Sequence, residues 1–268
     1  MSEVQVPDPA SSSTEATRPL YPRAPATAQV TTGRPTRWEM LVYRVIRGIA
    51  VGASRIYFPG RVHGRENLPT KGACIVAPVH RSYVDWLIVA RITSRRRLRY
   101  IVKEEVWKSR LFGAIIEACG AFPVNRSGAD REALQRCQVV LAGGEPLVMF
   151  PEGTRRSGLV VEDLKDGVAY LSLRSGVPIV PVGIGGSERA MPRGSSFPRP
   201  RWVNVFIGPP VFPTGNGRTA SGDADDGGDA PTEGKRNRVS RAAITELSER
   251  VKDAIQKAFD TAEASLGR

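Results

Sequence analysis

The chain holds two histidines, His63 and His80. His80 stands in PVHRSYVD, residues 78–85, after an apolar run and five positions before Asp85. Imidazole is the side chain best suited to take a proton near neutral pH, and it needs an orienting partner, usually a carboxylate, on its other nitrogen. His-x4-Asp therefore offers a general base with its holder. The same residues have a purely structural reading: Ser82-x-x-Asp85 has the form of a capping box, in which Asp85 only satisfies amides at a helix start. A second stretch, FPEGTRR (150–156), carries Glu152, Gly153, Thr154 and Arg155. A glycine in a tight loop lets backbone amides face a ligand, Thr154 offers a hydroxyl, and Arg155 offers a fork for phosphate. The bland alternative is a surface turn with solvated charges. Lys103, closing LRYIV, and Arg126, following AFPV, add positive charge if they reach the same edge.

These residues need elements to bring them together. The apolar runs 73–79, 98–102, 146–150, 177–184 and 202–207 read as buried strands. Helical patterns at 83–93, 106–119, 130–142 and 167–174 alternate with them. The expected fold is α/β: a single domain with a largely parallel central sheet flanked by helices. Ligands of such sheets bind outside the carboxyl ends of the strands, and His80, Glu152–Arg155, Asn125-Arg126 and Gly185–Ser187 all follow strands or the short apolar run AFPV. They should converge on one edge. Ahead of the sheet, residues 38–58 place Trp38, Leu41, Val42, Val45, Ile49, Ala53 and Ile56 at helical spacing, with Arg44, Arg47 and Arg55 on the other side. This amphipathic helix either packs on the domain or lies in a membrane surface with its arginines snorkelling. Residues 1–36 and the Gly/Asp-rich linker 213–237 read as disordered. A C-terminal amphipathic helix, 238–264, has Leu247, Val251, Ile255 and Phe259 in register to pack back on the domain.

The 268 residues carry a net charge of +12, which points to an anionic partner or surface. Cys74, Cys119 and Cys137 form no CxxC pair, so the reading is a reduced compartment without a disulfide framework. No metal site and no cofactor are expected. The N-terminus lacks a signal-peptide pattern, and no run of about 20 apolar residues suggests a spanning helix.

Taken together, four segments resemble the motifs of the glycerolipid acyltransferases, specifically the 1-acylglycerol-3-phosphate acyltransferase type. His80-x4-Asp85 is similar to the first motif, GAFPVNR (120–126) to the second, FPEGTR (150–155) to the third and VPIVPVG (177–183) to the fourth. Lys103 sits where that family carries a lysine between the first two. The resemblance covers about residues 38–212. Val79 stands where the family often has Asn, and Arg81-Ser82 resemble the glycerol-3-phosphate acyltransferase branch, whereas EGTR resembles the lysophosphatidate branch. The resemblance implies acyl transfer from acyl-CoA or acyl-carrier protein to the sn-2 hydroxyl of lysophosphatidate, making phosphatidate. His80 would be the base and Asp85 its holder. Lys103, Arg126 and Arg155 would bind the acceptor phosphate, with Glu152, Gly153 and Thr154 shaping the pocket. It implies an enzyme at the cytoplasmic face of the cell membrane, peripheral or monotopic, on an anionic surface.

Competing readings are a basic nucleic-acid-binding protein, supported by charge alone and lacking any binding motif, and a thioester hydrolase with water as acceptor. A third, transfer to a non-phosphorylated acceptor, is opposed by the basic residues.

Overall fold

Every residue of Cys74–Pro78 and of Ile179–Gly185 is buried. Such continuous apolar runs cannot have a wet face, so both strands lie mid-sheet with helices on either side. The computed structural model describes residues 36–93, 96–103, 116–117, 119–124, 130–214 and 239–267. Its sheet has seven strands: β1 (Val62–His63), β2 (Cys74–Pro78), β3 (Arg99–Lys103), β4 (Ala121–Val124), β5 (Pro146–Val148), β6 (Ile179–Gly185) and β7 (Asn204–Ile207), in the order β1-β7-β6-β2-β5-β3-β4. Strands β6, β2, β5, β3 and β4 run parallel; β7 is antiparallel to β6, and β1 pairs parallel with β7. The fold is the expected α/β type with a mostly parallel sheet. The two-residue β1 escaped the sequence reading because it is too short to show a period.

The helices are α1 (Arg37–Tyr57), α2 (Asp85–Val89), α3 (Asp130–Ala142), α4 (Gly167–Ser175), α5 (Ser187–Ala190) and α6 (Arg241–Ala264). The helical pattern at 83–93 contracts to the short α2. The tail 1–35, most of the 106–119 pattern, Arg126 and residues 215–238 lie outside the described residues.

Helix α6 starts with Ser240 accepting from the Ala243 amide at 3.1 Å. It buries Ile244, Leu247, Val251, Ile255, Ala258 and Phe259. Its backbone lies directly on β6: a Cβ at Gly183 would stand 2.1 Å from the Ala258 carbonyl oxygen. Glycine is what permits that approach.

Helix α1 turns the other way from a packed helix. Tyr43, Val51 and Ser54 are buried against the domain. Trp38, Leu41, Val45, Ile49 and Ile56 are 50–86% exposed. Arg47, expected on the polar side, turns inward and donates to the Ala90 carbonyl at 2.5 Å. The apolar stripe read from the sequence thus faces away from the domain. No helix among the described residues is long and apolar enough to cross a membrane.

Candidate active site

The site forms where β2 and β5, hydrogen-bonded neighbours, end side by side. His80 follows β2, and its Nδ1 lies 2.9 Å from Asp85 Oδ2. That same oxygen accepts the backbone N–H groups of Arg81 and Ser82, each at 2.7 Å. The two readings of this segment are therefore one arrangement. Asp85 satisfies the loop amides at the start of α2, and by doing so it is held rigidly beside the imidazole. A carboxylate that receives two amide donors is an acceptor, so Nδ1 is the protonated nitrogen and the neutral ring keeps its Nε2 lone pair free. Asp85 is fully buried and the His80 side chain 20% exposed, so the imidazole has one open side. The ring stacks on Phe150, with centroids 4.1 Å apart and planes 28° from parallel.

Glu152 stands elsewhere than at a phosphate-facing wall. It is fully buried, accepting the His80 amide at 2.9 Å and Arg81 Nη1 at 2.7 and 2.9 Å. Arg81 spends its remaining donors on the carbonyls of Gly158 and Val160, both at 2.9 Å, and lies 5.1 Å from the Phe259 ring of α6. Ser82, also buried, donates to the Met191 carbonyl at 2.9 Å. The ion pair Arg81–Glu152 thus rivets the His80 loop to the loop after β5. Two charges taken out of water are tolerable only with such full hydrogen bonding.

Gly153 has φ +70°, the left-handed region that glycine adopts without strain, and turns the chain back below Arg155. Thr154 is exposed and its hydroxyl donates to the Arg155 carbonyl at 3.2 Å. The Arg155 guanidinium sits 3.3 Å above the Tyr83 ring, with Nη1 buried and unpartnered among the described residues. Stacking fixes its plane while leaving donors for an anion. Lys103 ends β3, two strands from β2, at the carboxyl edge; its side chain and Arg126 lie outside what the structure describes. The loop after β6 is closed off, because Glu263 of α6 accepts the Gly186 amide at 2.7 Å.

Sequence reasoning missed Tyr83 as the platform for Arg155, and Arg81 as the partner of Glu152. The second was findable: opposite charges following adjacent buried strands are candidates to meet.

Residues 60–185 match the Acyltransferase family profile. That stretch holds β1 to β6 and both the His80 and Glu152 loops. The chain is 30% identical over 148 residues to a 1-acyl-sn-glycerol-3-phosphate acyltransferase of Streptococcus pneumoniae, covering 54% of each chain. Over 151 residues it is 28% identical to the Bacillus subtilis enzyme of that name, 56% of this chain and 73% of the other. Against the crystal structure of the 1-acyl-sn-glycerophosphate acyltransferase of Thermotoga maritima the TM-score is 0.60 at 24% identity, covering 82% of this chain and 80% of that one. The chain spans about half the length of the first relatives it matches, 54%, 46% and 51% of theirs.

Proposed function

We propose that the protein is a 1-acylglycerol-3-phosphate acyltransferase, moving a fatty acyl chain from acyl-CoA or acyl-carrier protein to the sn-2 hydroxyl of lysophosphatidate. The observation that carries this reading is the His80–Asp85 contact at 2.9 Å beside Arg155, a guanidinium with an unspent buried donor. A base and an anion holder side by side suit an acceptor bearing both a hydroxyl and a phosphate.

In this mechanism Nε2 of His80 takes the hydroxyl proton as the oxygen attacks the thioester carbonyl. The new C–O bond forms, the tetrahedral oxyanion collapses, the C–S bond breaks, and the His80 proton passes to the leaving thiolate. Asp85 keeps the ring oriented and steadies the imidazolium. The thioester is already activated, so no serine or cysteine nucleophile is required. Arg155 holds the phosphate; Lys103 and Arg126 are assigned to the same anion by motif. Glu152 acts by positioning, through the His80 amide and Arg81. Arg81 and Ser82, the pair that resembles the glycerol-3-phosphate branch, are buried and committed to protein partners, which leaves them no direct contact with an acceptor and favours the lysophosphatidate reading.

The exposed apolar stripe of α1 supports in-plane attachment to an anionic membrane surface, on the cytoplasmic face where thioester donors are made.

The test is thiol release from acyl-CoA, with lysophosphatidate and glycerol 3-phosphate as separate acceptors and His80→Ala in parallel. Release stimulated by lysophosphatidate and lost in the variant is expected. Stimulation by glycerol 3-phosphate alone would move the protein to the other branch, and release without an acceptor would make it a hydrolase.

A further inference from the structure

A cavity of about 820 Å³ opens on the flank of α1, lined by Arg47, Arg55, Arg65, Arg91 and Arg96 together with the helix glycines Gly48 and Gly52. It shares no residue with the His80 and Glu152 loops. Leu68–Thr70 and Arg96 on its wall precede the amino ends of β2 and β3, whereas His80 and Glu152 follow the carboxyl ends of β2 and β5.

Its arginines are positioned but not neutralised. Arg65 donates to the Ile92 carbonyl at 2.6 Å, and Arg91 to the carbonyls of Phe58 and Gly60 at 3.0 and 2.9 Å. Arg47 donates to Ala90, and Arg96 to Pro69, Gly72 and Gly144. Among the described residues none of them pairs with a carboxylate, Glu66 of the cavity wall included. Arg91 is only 2% exposed, and its Nε, like that of Arg47, is a buried donor without a partner. Burial first, and then the nearby Arg55, hold the Arg65 and Arg91 guanidiniums below their ordinary value. A buried donor left unsatisfied is costly, and so is uncompensated charge, so the group that completes this site is an anion. Nothing lies within 4 Å of where a Cβ would stand at Gly48 or Gly52, which leaves the floor open to a bulky ligand.

We propose that this arginine cavity is a second anion site, taking a phosphate group, separate from the acyl-acceptor site. The cavity adjoins Ile49 and Val45 of the exposed apolar stripe, one helix turn or less away. A phosphate here can therefore be free in solution or be the headgroup of a phospholipid whose tail lies along α1.

The experiment uses the full chain and two presentations of phosphate. In solution, inorganic phosphate is titrated against chloride of matched ionic strength and the thermal midpoint is followed. The Arg155→Ala variant is run alongside, so that binding at the acceptor site is not mistaken for binding here. On membranes, co-sedimentation is compared for phosphatidylcholine vesicles with and without phosphatidylglycerol. Arg55→Gln and Arg65→Gln change exposed side chains; each should weaken the response about tenfold, the usual size for a hydrogen bond to a charged group. Arg193→Gln with Arg201→Gln, exposed and outside the cavity lining, controls for net charge. Phosphate stabilisation that survives Arg155→Ala but falls with Arg55→Gln and Arg65→Gln marks a soluble phosphate. The same dependence seen only with phosphatidylglycerol vesicles marks a headgroup. If neither presentation distinguishes Arg55→Gln with Arg65→Gln from the Arg193→Gln, Arg201→Gln control, the proposal is overturned. Loss of the solution response in Arg155→Ala alone would overturn it for soluble phosphate and leave the acceptor-site reading standing.

Discussion

Asp85 Oδ2 receives three donors at once: the imidazole and the amides of Arg81 and Ser82. Replacing the carboxylate by an amide removes the charge that fixes the tautomer but keeps the shape. Asp85→Asn is therefore expected to cost at least about 10²-fold in kcat, and His80→Ala about 10²–10⁴-fold, with thermal midpoints close to the parent for the histidine variant. Arg155→Ala should instead raise KM for a phosphorylated acceptor, seen by varying acceptor at fixed donor. Glu152 behaves differently from all three. Glu152→Ala strands the Arg81 cation in a buried site, a change worth about 3–5 kcal/mol of stability, measurable as a lower urea midpoint. Arg81→Met added to that variant should recover part of the loss, since the stranded charge is gone. A merely solvated Glu152 would give no such coupling.

Two elements carry opposite logic. Helix α6 is legible from its period because its apolar face meets the sheet, and the contact is so close that Gly183→Ala should lower the melting temperature by several degrees, since a Cβ there meets the α6 backbone. Helix α1 has as clear a period, yet its stripe faces outward. Ile49→Glu with Val45→Glu should leave the melting temperature within a degree or two of the parent, because these side chains are already exposed. It should also release the protein from anionic vesicles in a flotation assay. A fall in stability without loss of vesicle binding would mean that the stripe packs against protein.

At the level of the whole molecule, the core holds two thiols whose ionisation opposes folding. Burial pushes Cys74 from 9.0 up to about 11 and Cys137 up to about 12. Below pH 9 both are protonated whether the chain is folded or not, and the fold keeps its full stability. As pH climbs from 9 towards 11 the unfolded chain releases these protons while the folded one retains them, so the urea midpoint should fall through that window. Cys74→Ala should flatten part of the slope. The half-exposed Cys119 should react first with a thiol reagent at neutral pH.

The sequence by itself determined the strands β2, β3, β5, β6 and β7 and the longer helices α1, α3, α4 and α6, because an α/β sheet writes its strands as continuous apolar runs and its helices as 3.6-residue periods. It also placed His80 with Asp85, five residues apart, where local chain geometry suffices. What it left open was every relation between distant segments. Whether Glu152 faced a ligand or a cation, whether Arg155 had an aromatic beneath it, and which way α1 turned its stripe depend on which strands become neighbours. A carboxylate after one strand meets a guanidinium after another only when the sheet order sets β5 beside β2. An amphipathic period states that a helix has an apolar side, while the surface opposite that side is decided by the packed chain alone.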